Sequence, residues 1–180
     1  MNSARFVDHC IISVRKMAEF LIDTQIMLEG AQNTGSLSAE SNSDAGGWPL
    51  IRGKRASTMA TGHAVGALQL ALVAFRRDNV LEPKIRKAIE NGVQWLEENQ
   101  NKDGGWGSEP SAGTDGKESR IVATYYALYG FWYRGGDYQN SKVVRDAVGF
   151  LEKVRNQDGS WGFSKGWKET FLIPVGRLQH

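Results

Sequence analysis

Residues 99–107 read NQNKDGGWG, and residues 156–163 read NQDGSWGF. The same phrase of amide, acid, glycine and tryptophan closes two stretches of helical period, and the tryptophans Trp106 and Trp161 stand 55 residues apart. Glycine accepts positive φ where a helix stops, and Asn or Asp supplies acceptors for the loose backbone amides there. Asn101, Asp103 and Gly104 in one copy, and Asn156, Asp158 and Gly159 in the other, are read as helix stops, with Gln100 part of the repeated phrase. The tryptophan that follows can lie across the helix end. A ring burying about 200 Å² contributes several kcal/mol at about 25 cal/mol per Å², before conformational entropy is subtracted.

Working outward, the stretch KIRKAIENGVQWLEENQ places Ile85, Ala88, Ile89, Val93, Trp95 and Leu96 at steps of three and four residues, one side of an amphipathic helix. SKVVRDAVGFLEKVRNQ repeats this with Val143, Val144, Ala147, Val148, Leu151 and Val154, so that Phe150 answers to Trp95. A looser first copy, HCIISVRKMAEFLID, offers Ile11, Ile12, Met17, Ala18, Phe20 and Leu21 as its apolar side. Its turn, DAGGW, with Asp44, Gly46 and Trp48, comes only after a long polar loop over roughly 30–47.

A second kind of helix follows each turn, apolar nearly all round. ATGHAVGAL at 60–68 matches ATYYALYGF at 123–131 with Ala, Thr and Ala in register, and His63 answers to Tyr126. A third attempt, ETFLIPVGRL, meets Pro174. Alternation of polar-faced outer helices with apolar inner ones is the pattern of stacked α,α-hairpins. The expected fold is all-α: one domain over 1–180, with about three hairpins at roughly 5–78, 82–136 and 140–178, forming a partial α/α toroid or crescent.

The totals narrow the function. A formal net charge of +2 and a pI near 8.7 lack the basic stripe that nucleic acid demands. A single cysteine, Cys10, rules out an internal disulfide and points to a reducing, cytoplasmic setting. The run AVGALQLALVAF at 64–75 falls short of the ~20 residues of a membrane span, so it reads as a buried helix rather than a transmembrane segment.

The repeated phrase, with Gln100, Gly104 and Trp106, resembles the Gln-Trp repeat of squalene and hopene cyclases, and GKESRIVATYYAL resembles the segment leading into their inner helices. Protein prenyltransferase β subunits share that toroid of α,α-hairpins. The resemblance runs from about residue 44 to about 170. Arg155 and Asn42 stand where the pattern has glutamine, which implies weaker amide bonding in the third and first copies.

The chemistry that such a family uses is missing from this chain. Protonating cyclases need an Asp-X-Asp-Asp acid, whereas Asp44, Asp103, Asp115, Asp137 and Asp158 each stand alone. No Asp-rich magnesium motif occurs, and Asp8, His9 and Cys10 are adjacent rather than on one helix face, so no metal, cofactor or catalytic residue is assigned. His9, His63 and His180 lie far apart, without a nucleophile elbow.

What remains is a candidate apolar surface on the inner helices. His63, Tyr126 and Tyr129 can offer aromatic faces to an isoprenoid chain, against the plainer reading of His63 as a hydrogen-bonded core histidine. The leading expectation is a non-catalytic repeat protein that binds an apolar ligand or a protein segment. The alternatives are an isoprenoid enzyme completed by a partner chain, and a scaffold subunit. Three hairpins are half of the family's ring, so a protein partner or self-association is expected to cover the open faces.

Overall fold

The computed structural model describes residues 3–27, 43–108, 118–132 and 140–162. The expected third inner helix, most of the long loop, Asn42, Asp115, Asp137 and His180 lie outside the described residues. The protein is all-α. Among the described residues five helices follow in order: α1 (Ser3–Thr24), α2 (Thr58–Phe75), α3 (Leu81–Glu98), α4 (Ile121–Trp132) and α5 (Lys142–Lys153). An isolated bridge between Pro49 and Ala56 is the extended pairing among the described residues.

α2 and α4 are the apolar pair at the centre. α2 packs most extensively on α4 and next on α3, and its buried residues Thr61, Ala64, Val65 and Leu68 meet Val93, Leu96 and Ala127 in one core. By length and composition α2 could cross a bilayer, but in this fold more than half of it is buried inside the protein. α3 and α5 bury one side each, as their period requires. α1 departs from expectation. Of the six residues read as its apolar side, Ala18 and Leu21 face inward, joined by Val14 and Ile22, while Ile11, Ile12, Met17 and Phe20 are exposed.

The tightest α2–α4 approach rests on a glycine. A Cβ on Gly62 would stand 2.0 Å from the carbonyl oxygen of Tyr126, so only hydrogen fits between these two backbones. Gln69 adds a tie, its Nε2 donating to the Gly130 carbonyl at 3.0 Å.

Asp78 joins the first outer helix to the second. Its carboxylate accepts from the backbone N–H groups of Val80 (3.0 Å) and Leu81 (2.8 Å), capping α3, and from the guanidinium of Arg15, which also lies 5.0 Å over the Phe75 ring. The Leu81 amide, then the Arg15 guanidinium, then the Val80 amide hold this carboxyl down at about 2, against 3.8 for an ordinary aspartate. The folded protein therefore binds this proton more weakly than the unfolded chain. Its contribution to stability is complete above the ordinary value and is lost as pH falls from 3.8 through about 2. Asp78→Asn is expected to be less stable than wild type near neutrality and to narrow that gap on acidification through this window. Urea midpoints measured between about pH 5 and pH 2 check it; a gap independent of pH would refute the assignment.

Candidate functional site

The Gly-Trp turns position everything else, and they are built alike. Turn 1 (43–48), turn 2 (99–106) and turn 3 (154–161) each contain a glycine at positive φ: Gly46 at 94°, Gly104 at 93° and Gly159 at 83°. In each, the tryptophan Nε1–H donates back to an outer-helix carbonyl. Trp48 reaches Leu21 at 2.7 Å, Trp106 reaches Leu96 at 2.7 Å and Trp161 reaches Leu151 at 2.8 Å. Trp48 and Trp106 are buried and Trp161 is half-buried. The acids make their polar contacts around the turns. Asp103 accepts from the Gly105 amide (3.0 Å) and the Ser119 hydroxyl, Asp158 accepts from the Ser160 amide (2.9 Å) and hydroxyl, and buried Asp44 pairs with Arg55 at 3.1 Å.

The amide position corrects the sequence reading. Gln100 Nε2 donates to Gly104 O (2.9 Å) and to Val143 O of α5 (2.8 Å), binding its turn to the next outer helix. In the first copy Gln25 does the same work, donating to Gly46 O (2.8 Å) and to Ala88 O of α3 (2.9 Å). Gln25 lies four residues after Leu21 as Gln100 lies four after Leu96, a match hidden by the long loop between Gln25 and its turn. In the third copy Arg155 keeps the bond within the turn, Nε to Gly159 O at 2.8 Å, and its guanidinium lies 4.9 Å over the Trp161 ring. The amide bonding is thus intact in the first copy and half-replaced in the third.

One threonine completes each of the first two junctions. The backbone N–H of Trp48 donates to Thr61 Oγ1 (2.9 Å) and that of Trp106 to Thr124 Oγ1 (3.0 Å), with both threonines fully buried. Their signal was the Ala-Thr register shared by α2 and α4.

These junctions bring together the three residues singled out as a ligand surface. His63 of α2 lies 4.2 Å from the Tyr126 ring and 5.9 Å from the Tyr129 ring, centroid to centroid, and Tyr125 meets Tyr126 edge-on at 5.1 Å. Glycine again allows the approach, since a Cβ on Gly66 would meet the Tyr129 ring at 2.6 Å. His63 is exposed and the tyrosines are half-exposed, so His63 is not a core histidine. Partial burial pushes its pKa below the ordinary 6.5, outweighing a hydrogen bond with the Met59 backbone that acts the other way. This favours the uncharged form of the ring. The cluster is an aromatic patch, accessible from outside and held on two packed helices. Among the described residues no three His, Cys, Asp or Glu side chains gather as metal ligands would.

A separate groove of about 440 Å³ lies between α2 and α3, lined by Gln69, Leu72, Val73, Arg76, Ile89 and Glu90 among others. Its mixed charges set it apart from the ring cluster.

No family model matches the chain. Two known proteins are similar over part of it. Lanosterol synthase of Saccharomyces cerevisiae is 30% identical over 80 residues, 42% of this chain and 11% of the synthase. Squalene–hopene cyclase of Zymomonas mobilis is 31% identical over 85 residues, 44% of this chain and 13% of the cyclase. The chain thus matches only about an eighth of the length of either relative. Together with the all-helical fold, these similarities support a relationship to terpenoid cyclase-like proteins.

Proposed function

We propose that this protein is a squalene-cyclase-like repeat protein, a partial α/α toroid that binds an apolar, isoprenoid-like ligand on the His63, Tyr126 and Tyr129 face and performs no catalysis of its own. The observation that carries the reading is the exposed ring cluster on two apolar helices, positioned by glycines whose replacement would pull the rings apart. Aromatic faces bury isoprenoid methyl groups without demanding hydrogen bonds in return. The isolated acids support the non-catalytic part, because Asp44, Asp103 and Asp158 are each occupied in holding a turn.

Titration with farnesol, followed by tyrosine resonances or intrinsic fluorescence, tests this. Tyr126→Ala is expected to weaken binding about tenfold, the equivalent of ~1.4 kcal/mol, with the helical circular dichroism unchanged. Equal binding by wild type and variant would exclude this face. The similarity to two cyclases favours a second reading, an enzyme of cyclase type whose acid comes from another chain. Product formed from squalene on adding that chain would identify it.

A further inference from the structure

The chain makes one kind of interface twice, and displays both halves of a third. Turn 1 docks on α3 and turn 2 on α5 by the same contacts. Gln25 and Gln100 donate to the carbonyls of Ala88 and Val143. Gly46 and Gly104 come so close to the next helix that an added Cβ would lie 2.7 Å from Asn91 O and 2.2 Å from Asp146 O. Trp95 and Phe150 close the contact from the helix side, against Gly47 and Gly105.

Counting from the shared carbonyls Leu21, Leu96 and Leu151, the corresponding positions on α1 are Ser13, Lys16 and Phe20. Phe20 is 62% exposed, where Trp95 is 1% exposed and Phe150 7%. Ser13, Lys16 and Met17, on the same face of α1 as Phe20, are exposed as well. At the other end turn 3 has the glycine conformation and the tryptophan of its counterparts, with Asn156, Gln157 and Asp158 exposed. Arg155 Nη2 lies 2.9 Å from where a Cβ of Gly159 would be, the side on which the other two turns meet an outer-helix carbonyl. The Arg155 guanidinium, the far end of a flexible side chain, fills the space that a helix backbone takes in the other two turns, and it swings aside when a helix docks.

We propose that turn 3 of one copy docks on α1 of a second copy, head to tail, repeating the junctions of turn 1 with α3 and turn 2 with α5. Arg155 keeps its Nε bond to Gly159 and turns its Nη atoms to the carbonyls of Ser13 and Lys16. Phe20 covers the turn's small residues as Trp95 and Phe150 do. Met17 stands where α3 and α5 have Gly92 and Ala147, and its unbranched side chain moves aside to lie along Trp161. Two different surfaces meet, so the contact is heterologous. It is independent of the ligand proposed above.

Sedimentation velocity on the full chain tests it with two single-end variants. Wild type at about 100 µM is expected to sediment as a dimer or larger. Phe20→Glu removes the α1 half and Arg155→Glu removes the donor at turn 3, and each variant alone is expected to be monomeric. Mixed one to one, each supplies the half the other lacks, and a heterodimer returns. Circular dichroism of each variant checks folding; should Phe20→Glu fail to fold, Arg155→Glu decides alone. A monomeric wild type, Arg155→Glu associating as wild type does, or two folded variants that stay monomeric when mixed would each overturn the proposal.

Discussion

Trp106→Ala is expected to lower the unfolding free energy by about 3–5 kcal/mol, a large part of what holds a domain of this size together. Trp106 is fully buried, packs 6.0 Å from the Phe131 ring and donates to Leu96 O at 2.7 Å. Its removal leaves a cavity between α3, α4 and the second turn, and takes away the donor at the end of α3. Trp106→Phe keeps most of the ring and loses chiefly the hydrogen bond, for about 1 kcal/mol beyond any repacking. Trp161→Ala, at a half-buried ring, is expected to cost clearly less than Trp106→Ala. Urea unfolding of the three variants gives the order. Equal losses for Trp106→Ala and Trp161→Ala would mean that the rings do not clamp the stack by burial.

Gly62→Ala is the second large effect, and its sign is diagnostic. In a helix interior with space around it, alanine is favoured over glycine by about 1 kcal/mol. At Gly62 the added methyl would stand 2.0 Å from Tyr126 O and 2.6 Å from its carbonyl carbon, backbone atoms that move only if α2 and α4 separate. A loss of about 3 kcal/mol is expected, together with weaker farnesol binding, because the same displacement parts His63 from Tyr126. Gly149 in α5 is the control. Nothing lies within 4 Å of a Cβ there, and Gly149→Ala should stabilise by about 0.5–1 kcal/mol. If Gly62→Ala also stabilises, the close α2–α4 contact is wrong, and the aromatic face with it.

The turns were legible because their signals are local. A glycine at positive φ, a following tryptophan and a preceding helical period all fall within about twenty residues, and the structure has them at Gly46, Gly104 and Gly159. The register of ATGHAVGAL on ATYYALYGF aligned His63 with Tyr126 as equivalents, but it did not foretell that their rings meet at 4.2 Å. Gln25 was missed because the long loop separates it from Gly46, so a fixed motif length pointed to Asn42 instead. The apolar side of α1 was read only in part: Ala18 and Leu21 face inward as expected, whereas Ile11, Ile12, Met17 and Phe20 spread around the rest of the helix, and counting apolar residues could not say which of them meet a neighbour. Nor could it show that Gly62 sits against a backbone, since nothing in a single sequence separates a packing glycine from an idle one such as Gly149.

The buried threonines carry a consequence for how such a chain can vary. Thr61 and Thr124 receive the Trp48 and Trp106 amides, and the Ser57 and Arg120 amides return to the Trp48 and Trp106 carbonyls at 2.9 and 2.8 Å. Both ends of each linking segment are thereby fastened, although Thr61 lies 13 residues after its tryptophan and Thr124 lies 18 after its own. What lies between the fasteners is free to lengthen without transmitting the change to the helices. The exposed tip at Leu50–Lys54 is thus a natural place to graft an epitope or a tag.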